Sequence, residues 1–167
     1  VQRQPLTLTG MVACVKSSSS AKGSAFSPAL TSEEITSLYC RGVTLRCQGD
    51  YVQAAQLFQQ AADGGHVGAQ RNLGCFYFHG SGVEQSYSKA AAWFQLAAKQ
   101  GDSPAMVELG NMYMFGDGVA KSYPISMRYY YDAAALDDVD AQMRIGEALL
   151  MGDSGKQDHH RAVEWLR

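Results

Sequence analysis

Leu73-Gly74-Cys75-Phe76-Tyr77-Phe78-His79-Gly80-Ser81-Gly82-Val83, followed by Ala90-x-x-Trp93-Phe94-x-x-Ala97-Ala98, decides the fold, because it returns along the chain. Leu73-Gly74 comes back as Leu109-Gly110 and Ile145-Gly146, each step 36 residues. Gly80, Gly116 and Gly152 keep that step, as do Ala69, Ala105 and Ala141. Trp93 maps forward to Tyr129 and Trp165 and back to Leu57, and the pairs Ala61-Ala62, Ala97-Ala98 and Ala133-Ala134 fall in the same register. Agreement at so many positions is the signature of a repeat array, in which each unit is one supersecondary element.

Each unit reads as two helices. The first runs over about 66–79, 103–115 and 139–151. Its apolar residues recur at helical spacing, as in Leu73, Phe76 and Tyr77 or Leu109, Met112 and Tyr113. A glycine that can take the left-handed conformation ends it. A loop of the type Gly80-Ser81-Gly82-Val83 or Gly116-Asp117-Gly118-Val119 follows. Asp50, Ser86, Ser122 and Asp158 then stand 36 apart, all residue types whose side-chain oxygen caps a helix N-terminus. The second helix covers about 51–63, 87–100, 123–136 and 159 to the end. Gly74 and Ala90 let the two helices approach closely, with Tyr77, Trp93 and Phe94 filling the space beside them. One such hairpin cannot bury its apolar face, whereas stacked neighbours can.

Outward from this core the pattern changes. Gly42 precedes Ala54 by twelve residues where Gly74 precedes Ala90 by sixteen, so the loop of the first unit is four residues shorter. Its helix begins near Thr31-Ser32-Glu33-Glu34, where Thr31 and Glu34 form a capping box. Residues 1–30 differ in kind, with a low-complexity linker at Lys16–Ser24. The domain reading is therefore 1–30 as a disordered, signal or linker segment, 31–65 as a tetratricopeptide-like hairpin, then units at 66–102, 103–138 and 139–167, the last one truncated. A start at Val1 and a stop inside a helix lead us to expect a piece of a longer array.

Leu73-Gly74-x-x-Tyr77-x-x-Gly80-x-Gly82-Val83 with Ala90-x-x-Trp93-Phe94-x-x-Ala97-Ala98-x-x-Gly101 and Ala105 resembles the Sel-one-like repeat, the longer-looped relative of the tetratricopeptide repeat. The likeness covers about 66–167, and a looser tetratricopeptide-like match covers about 32–65. Ser86 and Ser122 stand where that family often has Asp, and Asp137 where glycine is usual. The resemblance implies an all-α, right-handed α-α superhelix that works as an adaptor, as in envelope, host-interaction, signalling and quality-control proteins. It implies no particular ligand.

Composition excludes other classes. Charged residues make up 18% and the formal net charge is -2, which lacks the basic excess of a nucleic-acid binder. No apolar run nears the roughly 20 residues needed to span a bilayer. Leu6–Cys14 with Arg3 faintly resembles a bacterial lipoprotein signal ending at a lipidated Cys14; the alternative is a disordered segment of a longer chain. The remaining cysteines are Cys40, Cys47 and Cys75. Cys40 and Cys47 would sit about 10.5 Å apart along one helix, too far for a disulfide.

The first helices line the inner wall of such a stack. In this register the wall residues are Arg71, Asn72, Cys75, Phe78 and His79, then Glu108, Asn111, Met114 and Phe115, then Arg144, Glu147 and Met151. A mixed polar and apolar strip suits an extended peptide or partner helix, with Asn72 and Asn111 gripping a backbone. The competing reading is that several of these side chains pack between units. Cys75 and His79, four apart, could supply two metal ligands, but a site needs a third, and the next unit offers no His or Cys at the equivalent places. We expect no cofactor and no catalytic group in the array, although Cys75 with His79 is the pair an enzyme reading would use. His159-His160 reads as a solvated helix start, and Asp137-Asp138-x-Asp140 as a polar turn whose acids favour the next helix N-terminus. The functional expectation is a protein-binding scaffold. The alternative is an interaction module of a larger enzyme or signalling protein whose active domain lies elsewhere.

Overall fold

The computed structural model describes residues 30–151, which form seven helices and no strand among them. They are α1 (Ser32–Cys47), α2 (Tyr51–Asp63), α3 (Val67–His79), α4 (Tyr87–Lys99), α5 (Ser103–Phe115), α6 (Tyr123–Ala134) and α7 (Val139–Met151). The readings placed on residues 1–29 and 152–167, including Cys14, Asp158, His159-His160 and Trp165, lie outside the described residues.

Consecutive helices pair as hairpins, α1 with α2, α3 with α4 and α5 with α6, and each hairpin stacks on the next through α2–α3, α4–α5 and α6–α7. The buried apolar clusters span these joints. One cluster joins Ala54, Phe58 and Ala61 of α2 to Ala69, Leu73 and Phe76 of α3. The next joins Ala90, Phe94 and Ala97 of α4 to Ala105, Leu109 and Met112 of α5. The last joins Met127, Tyr130 and Ala133 of α6 to Ala141, Ile145 and Ala148 of α7. This is why the period is visible in the sequence: every unit must present the same two apolar faces to its neighbours.

Within each hairpin one small residue sets the helix spacing. A Cβ on Gly42 would lie 2.8 Å from the Phe58 ring, and one on Gly74 would lie 2.6 Å from the Phe94 ring. Gly110 meets Tyr130 in the same manner. The aromatic series 58, 94, 130 thus rests on the glycine series 42, 74, 110, and buried rings replace the volume that glycine leaves.

The helix ends follow local chemistry. Thr31 and Glu34 form the expected capping box, with Thr31 N donating to the Glu34 carboxylate at 2.8 Å and Glu34 N to Thr31 Oγ1 at 3.3 Å. Asp50 accepts from Gln53 N at 3.1 Å, and Ser86 from Lys89 N at 3.4 Å. Ser122 is a correction: it holds the N-cap position of α6 but its side chain makes no capping bond. The second helical residue there is Pro124, which has no N–H, so one of the two donors a cap can use is missing. Gly80 and Gly116 close α3 and α5 in the left-handed conformation. Asp137, at the glycine position of the turn before α7, adopts φ 60°, so the backbone keeps the turn without the glycine.

A second cap series, 36 residues apart, was not read from the sequence. His66, Asp102 and Asp138 cap α3, α5 and α7, accepting from Ala69 N at 3.2 Å, Ala105 N at 3.1 Å and Ala141 N at 3.0 Å. Asp138 is one of the acids expected to favour a helix N-terminus. His66 is the unusual member. Its Nδ1 accepts the bond while its ring stacks on Tyr39 with centroids 4.2 Å apart. Burial lowers its pKa below the ordinary 6.5. Protonation would fill the accepting nitrogen and set a positive charge at a helix N-terminus, where charge of that sign is disfavoured. A base whose folded pKa is depressed contributes stability that is complete above its unfolded pKa and is lost as pH falls through the folded value. His66→Asp, which copies the cap of α5 and α7, is therefore expected to reduce the loss of melting temperature between about pH 7.5 and about pH 5. Equal acid-side losses in both proteins would show that His66 is not the titrating cap.

Candidate interaction surface

The repeat places wall residues in rows along the first helices: Asn72, Glu108 and Arg144 in one, Cys75, Asn111 and Glu147 in the next, with Phe78 and Met114, then His79 and Phe115, beyond. The two ends of this strip behave differently.

On α3 the polar groups are largely engaged by the fold. Asn72 is only 8% exposed, and its Oδ1 accepts from Arg46 Nη1 at 3.5 Å. Arg71 reaches across to the cap of α5, with Nη1 at 2.9 and 3.3 Å from the two Asp102 oxygens. Gln70, buried, donates to Ala62 O and accepts from Gln100 Nε2 at 2.8 Å, a further link between units. Cys75 packs against the α4–α5 core. Burial first, and then the Glu108 carboxylate, push its thiol above the usual range, against a smaller opposite pull from Arg71 and Arg46. A thiol so placed stays protonated and is a poor nucleophile or metal ligand. His79 is exposed and lies edge-on to Phe78 with centroids 5.1 Å apart. Among the described residues no three His, Cys, Asp or Glu side chains are placed to hold a metal ion. No helix among them is long and apolar enough to cross a membrane.

Between α5 and α7 the strip opens into a cavity of about 150 Å³, lined by Asn111, Met114, Phe115, Tyr130, Arg144 and Glu147, with Ala148. Five residues expected from the sequence meet here, although they lie on two repeats. Phe115 is 70% exposed and Arg144 pairs with Glu147 at 3.2 Å, both half-open to solvent. Glu108 lies beside this cavity, its Oε2 3.5 Å from Asn111 Nδ2. Tyr130 was not anticipated. It comes from α6, is 2% exposed, and sends its hydroxyl through the hairpin to Asn111 Oδ1 at 2.8 Å. The signal that could have found it is the series Phe58, Phe94, Tyr130, where a hydroxyl appears at one position of three.

Two larger cavities lie on the side of the second helices. One of about 480 Å³ is bordered by Val52, Gln56, Gln59, Gln60, Tyr77 and Val83, the other of about 390 Å³ by Gln95, Lys99, Met106, Arg128, Tyr129 and Asp132. Neither was expected from the sequence.

The sequence matches the family described as Sel1 repeat, at residues 37–66, 67–102, 103–138 and 139–167. Among solved structures it is similar to a protective antigen present in uropathogenic Escherichia coli strains and displaying an SLR fold. There the identity is 28% and the TM-score 0.72, with 80% of this chain and 29% of that one covered. It is also similar to a Sel1 repeat protein from Oxalobacter formigenes, with 29% identity, a TM-score of 0.71, and 76% and 52% covered. A sel1 repeat protein from Klebsiella pneumoniae, at 23% identity and a TM-score of 0.62 over 79% of this chain and 65% of that one, shares the fold. The chain thus spans 29% and 52% of the first two relatives' lengths. A search of curated proteins finds no match.

Proposed function

The chain belongs to the Sel1 repeat family, and from that premise we propose that it is a non-catalytic scaffold that holds a peptide or partner protein along the strip of α3, α5 and α7. Sel1 repeats act in protein–protein interaction, and the strip is the feature of this chain that fits the role. The observation carrying the proposal is the cavity between α5 and α7, where Asn111, Met114, Phe115, Arg144 and Glu147 converge from two repeats. Hydrogen-bonding groups beside exposed apolar side chains are what an extended peptide requires. At the α3 end Asn72 and Arg71 serve the fold, so binding energy is expected to concentrate on α5 and α7. Phe78 and His79 border the strip and Cys75 lies beneath it.

The test is a selection of 12-residue peptides from a displayed random library on the folded chain, followed by amide-shift mapping of a synthetic binder. Shifts on α5 and α7, and loss of binding in Phe115→Ala with Asn111→Ala, are expected. Shifts confined to α2, α4 and α6, around the 480 and 390 Å³ cavities, would move the site to the second helices and sink the proposal.

A further inference from the structure

The three hairpins carry an internal comparison. The second-helix ring that rests on the glycine is Phe58, Phe94 and Tyr130 in turn, and the residue immediately after that glycine on the first helix is Val43, Cys75 and Asn111. An aromatic hydroxyl is present in the one hairpin where an amide stands opposite. There the two groups bond at 2.8 Å, the tyrosine donating to Asn111 Oδ1.

This bond fixes which edge of the amide is free. Glu108 Oε2 lies 3.5 Å from Asn111 Nδ2, and an ionised carboxylate only accepts, so the nitrogen faces Glu108 and the oxygen faces Tyr130. One lone pair of the oxygen accepts from Tyr130 inside the hairpin. The nitrogen has two hydrogens, one directed at Glu108 and a second with no partner among the described residues. Asn111 lines the α5–α7 cavity, and so offers that cavity a donor. Among the described residues the only full charges lining the cavity, Arg144 and Glu147, are paired with each other at 3.2 Å. Beside Tyr130, the wall carries the apolar side chains of Met114, Phe115 and Ala148.

We propose that Tyr130 is a positioning residue that locks the Asn111 amide with its N–H edge toward the cavity, so that the site selects an uncharged carbonyl oxygen of a peptide with an apolar side chain next to it. The inference rests on the reading of α5 and α7 as the peptide-binding strip. It adds the polarity of the contact and the residue that sets it. The Asn111 oxygen is drawn toward α6 by the Tyr130 hydroxyl, so the amide meets a peptide carbonyl better than a peptide N–H. The volume of about 150 Å³ suits a single side chain rather than a folded segment.

Tyr130→Phe removes the hydroxyl alone, and Phe58 and Phe94 occupy the same slot in the neighbouring hairpins, so the variant is expected to fold. The probe is the tightest synthetic peptide from the 12-residue displayed library, measured by calorimetry. Asn111→Asp, which exchanges the donor for an acceptor, is expected to lower its affinity at least about tenfold, and Tyr130→Phe to lower it about threefold to tenfold. Without any peptide, the side-chain NH₂ resonances of Asn111 are expected to move in Tyr130→Phe and not in Phe94→Leu. Unchanged or tighter binding by Asn111→Asp, with the peptide still mapping to α5 and α7, would overturn the donor assignment while leaving the strip intact. Unmoved Asn111 resonances in Tyr130→Phe would overturn the positioning role. A library without binders, or binders mapping elsewhere, would overturn the reading of the strip, and the ligand preference with it.

Discussion

Gly110→Leu is expected to lower the melting temperature by roughly 10 °C, corresponding to about 3 kcal/mol, at the upper end of the usual cost of overpacking a core. A Cβ at position 110 would meet the Tyr130 ring, with Cδ1 at 2.6 Å, and the longer leucine side chain has nowhere else to go. The ring cannot give way easily. It is 2% exposed, and turning it out would break its bond to Asn111 and open the cluster formed by Met127, Ala141 and Ile145. A double variant, Gly110→Leu with Tyr130→Ala, separates this cause from a general intolerance of leucine. The two changes occupy one volume, so they should couple and the double variant should lose less than the sum of the singles. Strict additivity, or a single variant that melts like the parent, would mean that the α5–α6 contact is not set by this glycine.

Gly118→Ala is expected to cost nearly as much through a different mechanism. Gly118 has φ +69°, and a Cβ there would lie 2.6 Å from Tyr87 Cβ and 2.7 Å from Ser88 N, at the start of α4 in the preceding hairpin. Gly82 makes the equivalent approach to the Tyr51 carbonyl and Val52 N at the start of α2. The long loop of each unit therefore leans on the unit before it, and most of the obstruction is backbone, which cannot rotate away. Left-handed strain of about 1–2 kcal/mol and displacement of about 1–3 kcal/mol add to about 3 kcal/mol. Gly101 is the control: it has φ +87° with open space around it, so Gly101→Ala carries the strain alone, about 1 kcal/mol. Hydrogen exchange at the first turn of α4 should rise in Gly118→Ala and stay unchanged in Gly101→Ala. If the two variants lose equal stability, the loop does not bear on its neighbour.

These two glycines show what can be read along the chain. Gly110 announces itself by the 36-residue step with Gly74, and its close-packing role follows from its place in an apolar helical stripe. The role of Gly118 does not follow in that way. A glycine in a loop reads as a turn, while its contact with Tyr87 joins residues 31 apart that no local pattern links. The cap at His66 is a similar case. Histidine is outside the usual capping set, and only the alignment with Asp102 and Asp138, together with the Ala69 N–H, reveals it.

The strip divides along the same line. Arg71 and Asn72 look like groove residues from their register, yet the fold uses them, because Asp102 and Arg46 arrive from other helices with complementary groups. Asn111 holds a comparable register and faces the cavity, with its orientation set by a hydroxyl from α6. Helix type, approximate helix bounds, the hairpin order and the repeating small and apolar core positions were determined by the sequence itself, because periodicity, capping and chain stiffness act over a few residues and repeat. Which polar side chains of a row remain available to a partner was decided only by the tertiary structure. That outcome depends on donors and acceptors brought in from separate helices, and a hydrogen bond between residues 19 or 31 apart leaves no mark on the local sequence of either.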